Sequence, residues 1–315
     1  MVGLDQIIAA RERIAGRVHR TPLLGSGALS AQTGARIQLK AESFQKTGSF
    51  KVRGVFNRIA LLTAAERDRG LITISAGNHA QAVAYASGVT GVHATVVMPA
   101  HANAAKVAAS RAYGAEVILH GDVFGAFAKM HELQEERALT LIHPFDDEGI
   151  IAGHGTVGLE IVEDQPDADL VLVPTGGGGL LSGIAAAVKA LRPAARVIGV
   201  EPEGAAGVRA ALDAGRVVRL DRILTIADGL APPSTGEAPL EHVRALVDDV
   251  VTVEDRHIVE AMRLIFTRCK LVVEPSGAAG LAALLAGRVD YQPGDRIVVV
   301  LSGGNVDLER MKEIF

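Results

Sequence analysis

The sequence predicts an α/β fold with two lobes, in which helices cover mostly parallel twisted sheets. Short apolar runs alternate with alanine-rich helical stretches along all 315 residues, a pattern typical of parallel sheets. The number of candidate strands, nine, is large for one open sheet of average size, which favours two sheets. The chain has 35 glycines, no tryptophan and only 3% aromatic residues. A core of Ala, Val, Leu and Ile suits close packing of helices on sheets.

The strand and helix predictions follow from these alternating patterns. The predicted strands are Arg36–Lys40, Leu71–Ile74, Ala94–Met98, Glu116–His120, Leu139–His143, Leu170–Pro174, Val197–Glu201, Val250–Val253 and Arg296–Leu301. The clearest predicted helices are Asn78–Ser87, Ala104–Tyr113, Val123–Glu136, Gly178–Leu191 and Arg256–Thr267.

Charge and composition exclude several classes of protein. The formal net charge is −4 and no long basic run occurs, which argues against a nucleic acid or an anionic membrane as partner. The longest apolar stretch, Ala278–Ala286, is far shorter than the roughly 20 residues of a membrane-spanning helix. The single cysteine, Cys269, cannot form an internal disulfide. We therefore expect a cytoplasmic protein without a membrane segment.

The strongest local motif joins a buried strand to a helix through four consecutive glycines. These are Gly176, Gly177, Gly178 and Gly179, followed by the helical stretch that begins with Leu180. Backbone without side chains can approach an anion closely, and a helix start offers unpaired N–H groups. Because one glycine would suffice for a tight turn, the run of four predicts a phosphate site.

A dinucleotide site is the alternative interpretation of the same glycines. Gly177 and Gly179 match the first two positions of a dinucleotide fingerprint, and Glu201 ends the next strand where a ribose-binding acid would lie. The third position of the fingerprint is Ser182 instead of glycine or alanine. The nicotinamide-dependent oxidoreductase that this interpretation implies thus stays open, with a weaker motif.

Three other segments place polar groups at predicted strand ends or turns. Lys51 lies between Phe50 and Val52, and a lysine in an apolar pocket can act as a nucleophile. The segment Ser75–Asn78 begins a helix directly after a strand, and Ser302 follows the strand that ends at Leu301. Since ligands of parallel sheets bind at the carboxyl ends of strands, we expect these groups near the glycine run.

Seven segments, in order along nearly the whole chain, resemble one enzyme family. They are TPLL (21–24), SFKVRG (49–54), SAGNHAQ (75–81), HPFDD with GHGTVGLE (143–160), TGGGGLLSG (175–183), VVEPSGAAG (272–280) and LSGGN (301–305). The set resembles the fold-type-II pyridoxal-phosphate enzymes, and within them the serine/threonine dehydratase and serine racemase group. The resemblance implies a tryptophan synthase β-like fold and pyridoxal 5'-phosphate as cofactor.

The resemblance also implies roles for individual residues. Lys51 would be the catalytic residue and would hold the cofactor as a Schiff base, with Ser302 facing the pyridine nitrogen and Asn78 the phenolic oxygen. The implied cofactor-binding residues are Phe50, Lys51, Asn78, Gly176, Gly177, Gly178, Gly179, Leu180, Glu274 and Ser302. The implied substrate-carboxylate site comprises Ser75, Ala76, Gly77 and Asn78.

The activity implied by the resemblance is elimination of water from a small 3-hydroxy amino acid, such as L-threonine or L-serine, to a 2-keto acid and ammonia. Serine racemases of the group carry a serine where this chain has Ala76, which favours dehydration over racemisation. The family's cation site begins at the position of Glu201, but Gly204–Gly207 lacks its further acid, so we expect no metal.

Several alternative functions stay open at this point. Within the resemblance they are a serine racemase, a dehydratase of hydroxyaspartate or of a hydroxyectoine-related compound, and a β-replacement transferase. Outside it they are the nicotinamide-dependent oxidoreductase and a non-catalytic amino-acid-binding module. The HPFDD and SAGNHAQ segments speak against the transferase.

The predicted organisation has a large cofactor-binding domain and a small domain inserted into it. The large domain comprises residues 1–69 and 147–315, and the small domain residues 70–146. We expect a homodimer whose partner molecule is a small amino-acid substrate.

Overall fold

The strands form two separate sheets in the structure, a computed structural model that describes residues 1–102 and 104–315. The strands are β1 (Leu23–Gly25), β2 (Arg36–Ala41), β3 (Leu71–Ile74), β4 (Ala94–Met98), β5 (Glu116–Leu119), β6 (Thr140–Leu141), β7 (Leu170–Pro174), β8 (Arg196–Pro202), β9 (Asp249–Val253) and β10 (Arg296–Leu301).

Helices connect nearly all of these strands. They are α1 (Leu4–Ile14), α2 (Gly27–Thr33), α3 (Lys51–Ala60), α4 (Ala64–Arg69), α5 (Asn78–Thr90), α6 (Ala104–Ala112), α7 (Val123–Arg137), α8 (Glu148–Asp164), α9 (Gly179–Leu191), α10 (Gly207–Ala214), α11 (Glu237–Leu246), α12 (Asp255–Leu264), α13 (Pro275–Leu285) and α14 (Leu308–Ile314).

The six-stranded sheet has the order β1-β2-β10-β7-β8-β9, and the four-stranded sheet has the order β5-β4-β3-β6. All neighbouring strands pair in parallel except β1, which runs antiparallel to β2 at the edge of the larger sheet. The prediction of an α/β fold with mostly parallel sheets is therefore confirmed.

Both faces of the larger sheet are covered, because alternate side chains of its central strands belong to different buried apolar clusters. In β7, Leu170 and Leu172 belong to one apolar cluster, whereas Val171 and Val173 belong to another on the opposite face. All four side chains are buried. A strand that is apolar at every position is what a doubly covered parallel sheet requires.

Strands were predicted more accurately than helices. β3, β4, β7 and β10 have the predicted bounds. The three-residue strand β1 was not predicted, and the run Leu139–His143 forms only the two-residue strand β6. The segment Arg256–Thr267 is α-helical only to Leu264 and continues as a π-helix to Cys269.

Three helices cross in close backbone contact where α8 packs between α3 and α9. A Cβ atom at Gly153 of α8 would lie 2.5 Å from the carbonyl oxygen of Arg53 in α3. On the other side, a Cβ at Gly183 of α9 would lie 2.5 Å from the backbone nitrogen of Gly155. These glycines bring helix backbones closer than side chains allow, which explains part of the chain's high glycine content.

A buried cluster of charges fixes two of these helices, α3 and α8, to the larger sheet. The guanidinium of Arg53 contacts Glu42, which follows β2, at 2.8 Å and Glu160 in α8 at 2.7 Å. Lys40 of β2 is also fully buried and lies 2.7 Å from Glu160. Thr21 donates a hydrogen bond to Glu42. Each buried charge in this cluster thus has an oppositely charged partner and hydrogen bonds.

Within the residues that the structure describes, no helix is both long enough and apolar enough to cross a membrane.

The first prediction concerns this charge cluster. Arg53→Met should lower the free energy of unfolding by about 3–5 kcal/mol, because Glu42 and Glu160 would keep their buried charges without the guanidinium. Urea unfolding followed by circular dichroism measures this change. Arg310→Met is the matched control, since it removes an exposed pair with Glu313 and should cost about 1 kcal/mol or less. Equal losses in the two variants would contradict the assignment.

Candidate functional site

Lys51 begins helix α3 directly after a segment that pairs with the end of β10. Ser49 forms a β-bridge with Gly303, and the backbone nitrogen of Phe50 donates to the carbonyl oxygen of Ser302 at 3.2 Å. The end of the central strand β10 therefore positions the lysine. Its Nζ atom donates to the carbonyl oxygen of Pro144 at 2.8 Å.

The amine of Lys51 lies in surroundings that favour its neutral form. The Nζ atom is 5.1 Å from the centre of the Phe50 ring, a contact that favours the charged amine, but desolvation outweighs it. Desolvation lowers the pKa of Lys51 to about 8, well below the ordinary value for lysine. With a pKa of about 8, roughly a tenth of this amine is uncharged at pH 7, far more than for an ordinary lysine, and the uncharged amine is the nucleophile.

Protein atoms pack against each of the four glycines between β7 and α9. A Cβ at Gly177 would overlap the ring of Phe145, and one at Gly179 would lie 3.0 Å from the Phe145 Cα. Gly176 lies against Leu230 in the same way, whereas Gly178 has a φ of +90°. The glycine count alone was therefore a poor argument for phosphate, because each position has a packing or conformational reason to lack a side chain.

The unpaired backbone N–H groups of this turn are better evidence for a phosphate site. Gly178 is the N-cap of α9 and has no side chain with which to cap the helix. In the described part of the chain, the N–H groups of Gly176, Gly177, Gly178, Gly179 and Leu180 donate no hydrogen bond. Consecutive unpaired N–H groups at a helix N-terminus form a site for an anion.

The lysine and the glycine turn belong to one site because consecutive residues contact them. The carbonyl of Pro144 accepts from Lys51, and the next residue, Phe145, packs on Gly177 and Gly179. Thr235 lies on the other side of the turn and donates to the carbonyl oxygen of Gly177 at 3.1 Å. Thr235 belongs to the segment 228–237, whose Leu230 also lies against Gly176, so this segment packs on the glycine turn.

Asn78 and Glu274 meet beside the end of β10. The Nδ2 atom of Asn78 donates to Oε1 of Glu274 at 2.6 Å. Burial, followed by the nearby charge of Asp228, raises the pKa of Glu274 to about 8, against the opposing effects of Asn78 and Lys106. Ser302 is also buried there. The structure thus brings Asn78, Glu274 and Ser302 together with the segment that carries Lys51.

The start of α5 offers a second set of backbone donors. Gly77 is its N-cap, and the Gly77 N–H already donates to the Ser75 hydroxyl at 3.1 Å. Among the described residues, the N–H groups of Ala76 and Asn78 have no acceptor. Of the four residues predicted to bind a carboxylate, these two have the available amides.

Two histidines near the site are buried in their neutral form. His79 hydrogen-bonds the carbonyl oxygen of Ile142 at 2.9 Å, and desolvation lowers its pKa to about 3. His154 lies within α8, and its ring packs edge-on against the ring of Phe50, with the ring centres 4.7 Å apart. Within residues 1–102 and 104–315, neither ring nitrogen of His154 has a hydrogen-bond partner. Desolvation lowers the pKa of His154 as well.

Glu201 has a structural role in this fold. Its two carboxylate oxygens accept hydrogen bonds from the backbone nitrogens of Val208 and Arg209, both at 2.8 Å, at the start of α10. Because Glu201 is also fully buried, its carboxylate is directed to the start of α10 and not to a ligand. Among residues 1–102 and 104–315, no group of three or more His, Cys, Asp or Glu side chains is arranged to hold a metal ion.

The HPFDD segment contributes to the site in a way that its sequence did not indicate. Pro144 and Phe145 connect the lysine with the glycine turn, and Asp146 accepts from the backbone nitrogen of Ala238 at 3.0 Å. The sequence also indicated no role for Asn305, which donates to the Asn78 side chain. The only sequence signal for these residues was their place in the motifs HPFDD and LSGGN.

Comparison with protein families gives a match over most of the chain. The sequence profile described as "Pyridoxal-phosphate dependent enzyme" matches residues 14–303. The catabolic L-threonine dehydratase TdcB of Escherichia coli is 44% identical over 315 residues, covering 99% of this chain and 96% of that protein.

Solved structures show the same relationship. Maize serine racemase superposes with a TM-score of 0.94 at 40% sequence identity, covering 99% of this chain and 96% of that one. A threonine deaminase from the organism abbreviated T.th. superposes with a TM-score of 0.91 at 46% identity, covering 98% and 99% of the two chains.

The second prediction concerns the amine of Lys51. In the cofactor-free protein, acetylation of Lys51 by limiting acetic anhydride should be half-maximal near pH 8, because the reagent reacts with the neutral amine and desolvation has lowered the pKa to about 8. Above that pH labelling reaches a plateau, and below it labelling falls about tenfold per pH unit. Mass spectrometry of peptides measures the extent at each residue, with exposed Lys312 as the reference. Labelling of Lys51 that still rises steeply at pH 10 would show that its amine is solvated.

Proposed function

The chain belongs to the pyridoxal-phosphate-dependent enzymes, in the group that contains threonine ammonia-lyases and serine racemases, and from this premise we propose that it is an ammonia-lyase. The proposed reaction eliminates water from a small 3-hydroxy amino acid, L-threonine or L-serine, and hydrolysis of the resulting enamine by water then gives a 2-keto acid and ammonia. The juxtaposition of the Lys51 amine and the glycine turn, through Pro144 and Phe145, is the observation that carries this proposal.

The residues of the site fit pyridoxal 5'-phosphate. The unpaired N–H groups from Gly176 to Leu180 match the acceptor oxygens of a phosphate. The lowered pKa of Lys51 suits covalent attachment of an aldehyde. Ser302 provides a hydroxyl, not a carboxylate, at the end of β10. We therefore assign Lys51, Phe50, Asn78, Ser302, the glycine turn and Glu274 to cofactor binding.

The bound cofactor supplies an electron sink that makes the α-proton of an amino acid acidic. The amine of Lys51, once released, takes that proton at Nζ. The free N–H groups of Ala76 and Asn78 hold the substrate carboxylate at the start of α5. The hydroxyl of Ser302, unlike a carboxylate, would not favour protonation of the pyridine nitrogen, which would limit electron withdrawal and favour elimination.

Ala76 bears on the choice between elimination and racemisation. Racemisation needs an acid on the face of the α-carbon opposite Lys51, whereas elimination needs the lysine and a protonated leaving group. The methyl group of Ala76 has no proton to give. This supports an ammonia-lyase over a serine racemase.

The competing functions have less support. Both oxygens of Glu201 are bonded within α10, so the nicotinamide-binding role lacks its acid. The chain's relatives include threonine dehydratases and serine racemases, which leaves little support for the transferase or for a non-catalytic module. Residues 70–146 contain the whole four-stranded sheet, which supports their assignment as the small domain. The homodimer and the cytoplasmic location stay predictions.

A substrate panel tests the activity. Holoenzyme incubated with L-threonine, L-serine or 3-hydroxyaspartate should release ammonia and the matching keto acid, measured with a coupled dehydrogenase, with L-threonine or L-serine turned over fastest. If only 3-hydroxyaspartate were turned over, the proposed substrates L-threonine and L-serine would be wrong.

The third prediction concerns the attachment of the cofactor. Lys51→Ala should lose the visible absorbance of the bound cofactor and the adduct that borohydride otherwise fixes to this residue, because no other amine replaces Nζ. Absorbance spectra and peptide mass spectrometry measure both. Lys46→Ala, five residues earlier in the same segment, is the control and should retain them. An adduct on another residue of Lys51→Ala would overturn the assignment.

The fourth prediction concerns Ala76. The unmodified enzyme should form keto acid from L-serine with little D-serine, and Ala76→Ser should raise the D-serine fraction by adding a hydroxyl opposite Lys51. Chiral chromatography of L-serine incubations measures the ratio. Ala76→Gly, which alters the loop without adding a proton donor, should not raise it. Substantial D-serine from the unmodified enzyme would show that another residue supplies the second acid.

A further inference from the structure

A chain of hydrogen bonds connects the turn before Lys51 with the start of α5 and the start of α13. The Nδ2 atom of Asn305 donates to the carbonyl oxygen of Thr47 at 2.7 Å and to Oδ1 of Asn78 at 2.9 Å. Asn78 in turn donates from Nδ2 to Glu274 at 2.6 Å. Asn305, which follows β10, thus joins three segments of the site.

The backbone carbonyl of Thr47 determines the direction of this chain. A carbonyl oxygen can only accept, so the amide nitrogen of Asn305 must face it. The same nitrogen carries a second hydrogen, which goes to the side chain of Asn78. Asn78 must therefore present its oxygen to Asn305 and its nitrogen to Glu274.

The turn that presents this carbonyl is built around Asn305. Thr47 and Gly48 have φ values of +60° and +71°, and the first is unusual for a residue with a side chain. A Cβ at Gly48 would overlap the side-chain oxygen of Asn305. The absence of a side chain at residue 48 thus leaves the space that Asn305 occupies. The positive φ of Thr47 and the glycine at residue 48 both accommodate the contact between the turn and Asn305, which makes this contact specific.

We propose that Asn305 is a positioning residue that sets the amide of Asn78 so that its nitrogen faces the cofactor ring. The inference rests on the proposed function, in which Asn78 hydrogen-bonds the phenolic oxygen of the cofactor. The amide nitrogen of Asn78 has two hydrogens, and Glu274 accepts one of them, which leaves the other for the cofactor. A reversed Asn78 amide would present its oxygen instead and repel that acceptor.

Asn305→Asp tests the inference because aspartate has the same shape and only acceptor atoms when ionised. The carboxylate would turn the Asn78 nitrogen toward residue 305 and away from the cofactor. We expect the dissociation constant for pyridoxal 5'-phosphate to rise about tenfold, the order of one lost hydrogen bond, and the visible absorbance maximum to shift. Titration of apoenzyme with the cofactor, followed by absorbance, measures both.

Asn57→Asp is the matched control. Asn57 is a buried asparagine of α3 that also donates to a backbone carbonyl, that of Gly149 at 2.7 Å. This variant should lower the apoenzyme's melting temperature at least as much as Asn305→Asp and leave the cofactor's affinity and spectrum unchanged. Equal effects of the two variants on the cofactor would show that Asn305 acts only through stability.

A double-mutant cycle keeps the test sharp if the aspartate variant does not fold. Asn305→Ala should weaken cofactor binding in the native background but not in the Asn78→Ala background, because Asn305 acts through Asn78. If the losses in cofactor affinity of the two single variants add in the double variant, the inference is wrong. A normal visible spectrum of the unmodified holoenzyme would in that case still support the proposed function. If the unmodified chain showed no visible spectrum with the cofactor, the proposed function and the inference would both fail.

Discussion

The pairing of Arg53 with two buried carboxylates is the interaction on which the site depends. Arg53 follows Lys51 by two residues, and its guanidinium binds Glu42 after β2 and Glu160 in α8. Removing such charges from water is costly, and the cost is offset only when hydrogen bonds satisfy both partners in good geometry. The start of α3 has one position that satisfies all of these groups. The place of the nucleophilic amine is thereby determined by charges that take no part in the chemistry.

The glycines of α3, α8 and α9 make this arrangement possible. Gly153 and Gly183 let the three helix backbones approach until their atoms touch, so α8 brings Glu160 within reach of Arg53. The same contacts hold α9, whose start carries the free N–H groups, against α8. Packing of backbone on backbone is short-ranged and stiff, which suits a site that must hold its groups apart by fixed distances.

The fold and most of the candidate site could be predicted from the sequence because the signals were local. Alternating apolar runs gave the strands, and each strand end delivered a motif: Ser75–Asn78 after β3, the glycine turn after β7 and Ser302 after β10. The motifs that match the enzyme family supplied the chemistry.

The contacts that orient groups could not be predicted. The position of Phe145 against Gly177 and the bond from Asn305 to Asn78 join residues far apart in sequence. No periodicity or spacing in the sequence indicates that these residues meet, and a polar side chain such as that of Asn305 can hydrogen-bond many partners. Direction in a hydrogen-bond chain also depends on one backbone carbonyl, that of Thr47, whose orientation follows from the tertiary fold.

The buried charges around Arg53 have a consequence for behaviour on heating. Hydration of ionised groups becomes less favourable as temperature rises, so the cost of keeping Lys40, Arg53, Glu42 and Glu160 away from water falls. Hydrophobic stabilisation does not keep rising in the same way. The share of the fold's stability that comes from this cluster therefore grows with temperature, and the segment bearing the lysine is held relatively more firmly in a warm protein than in a cold one.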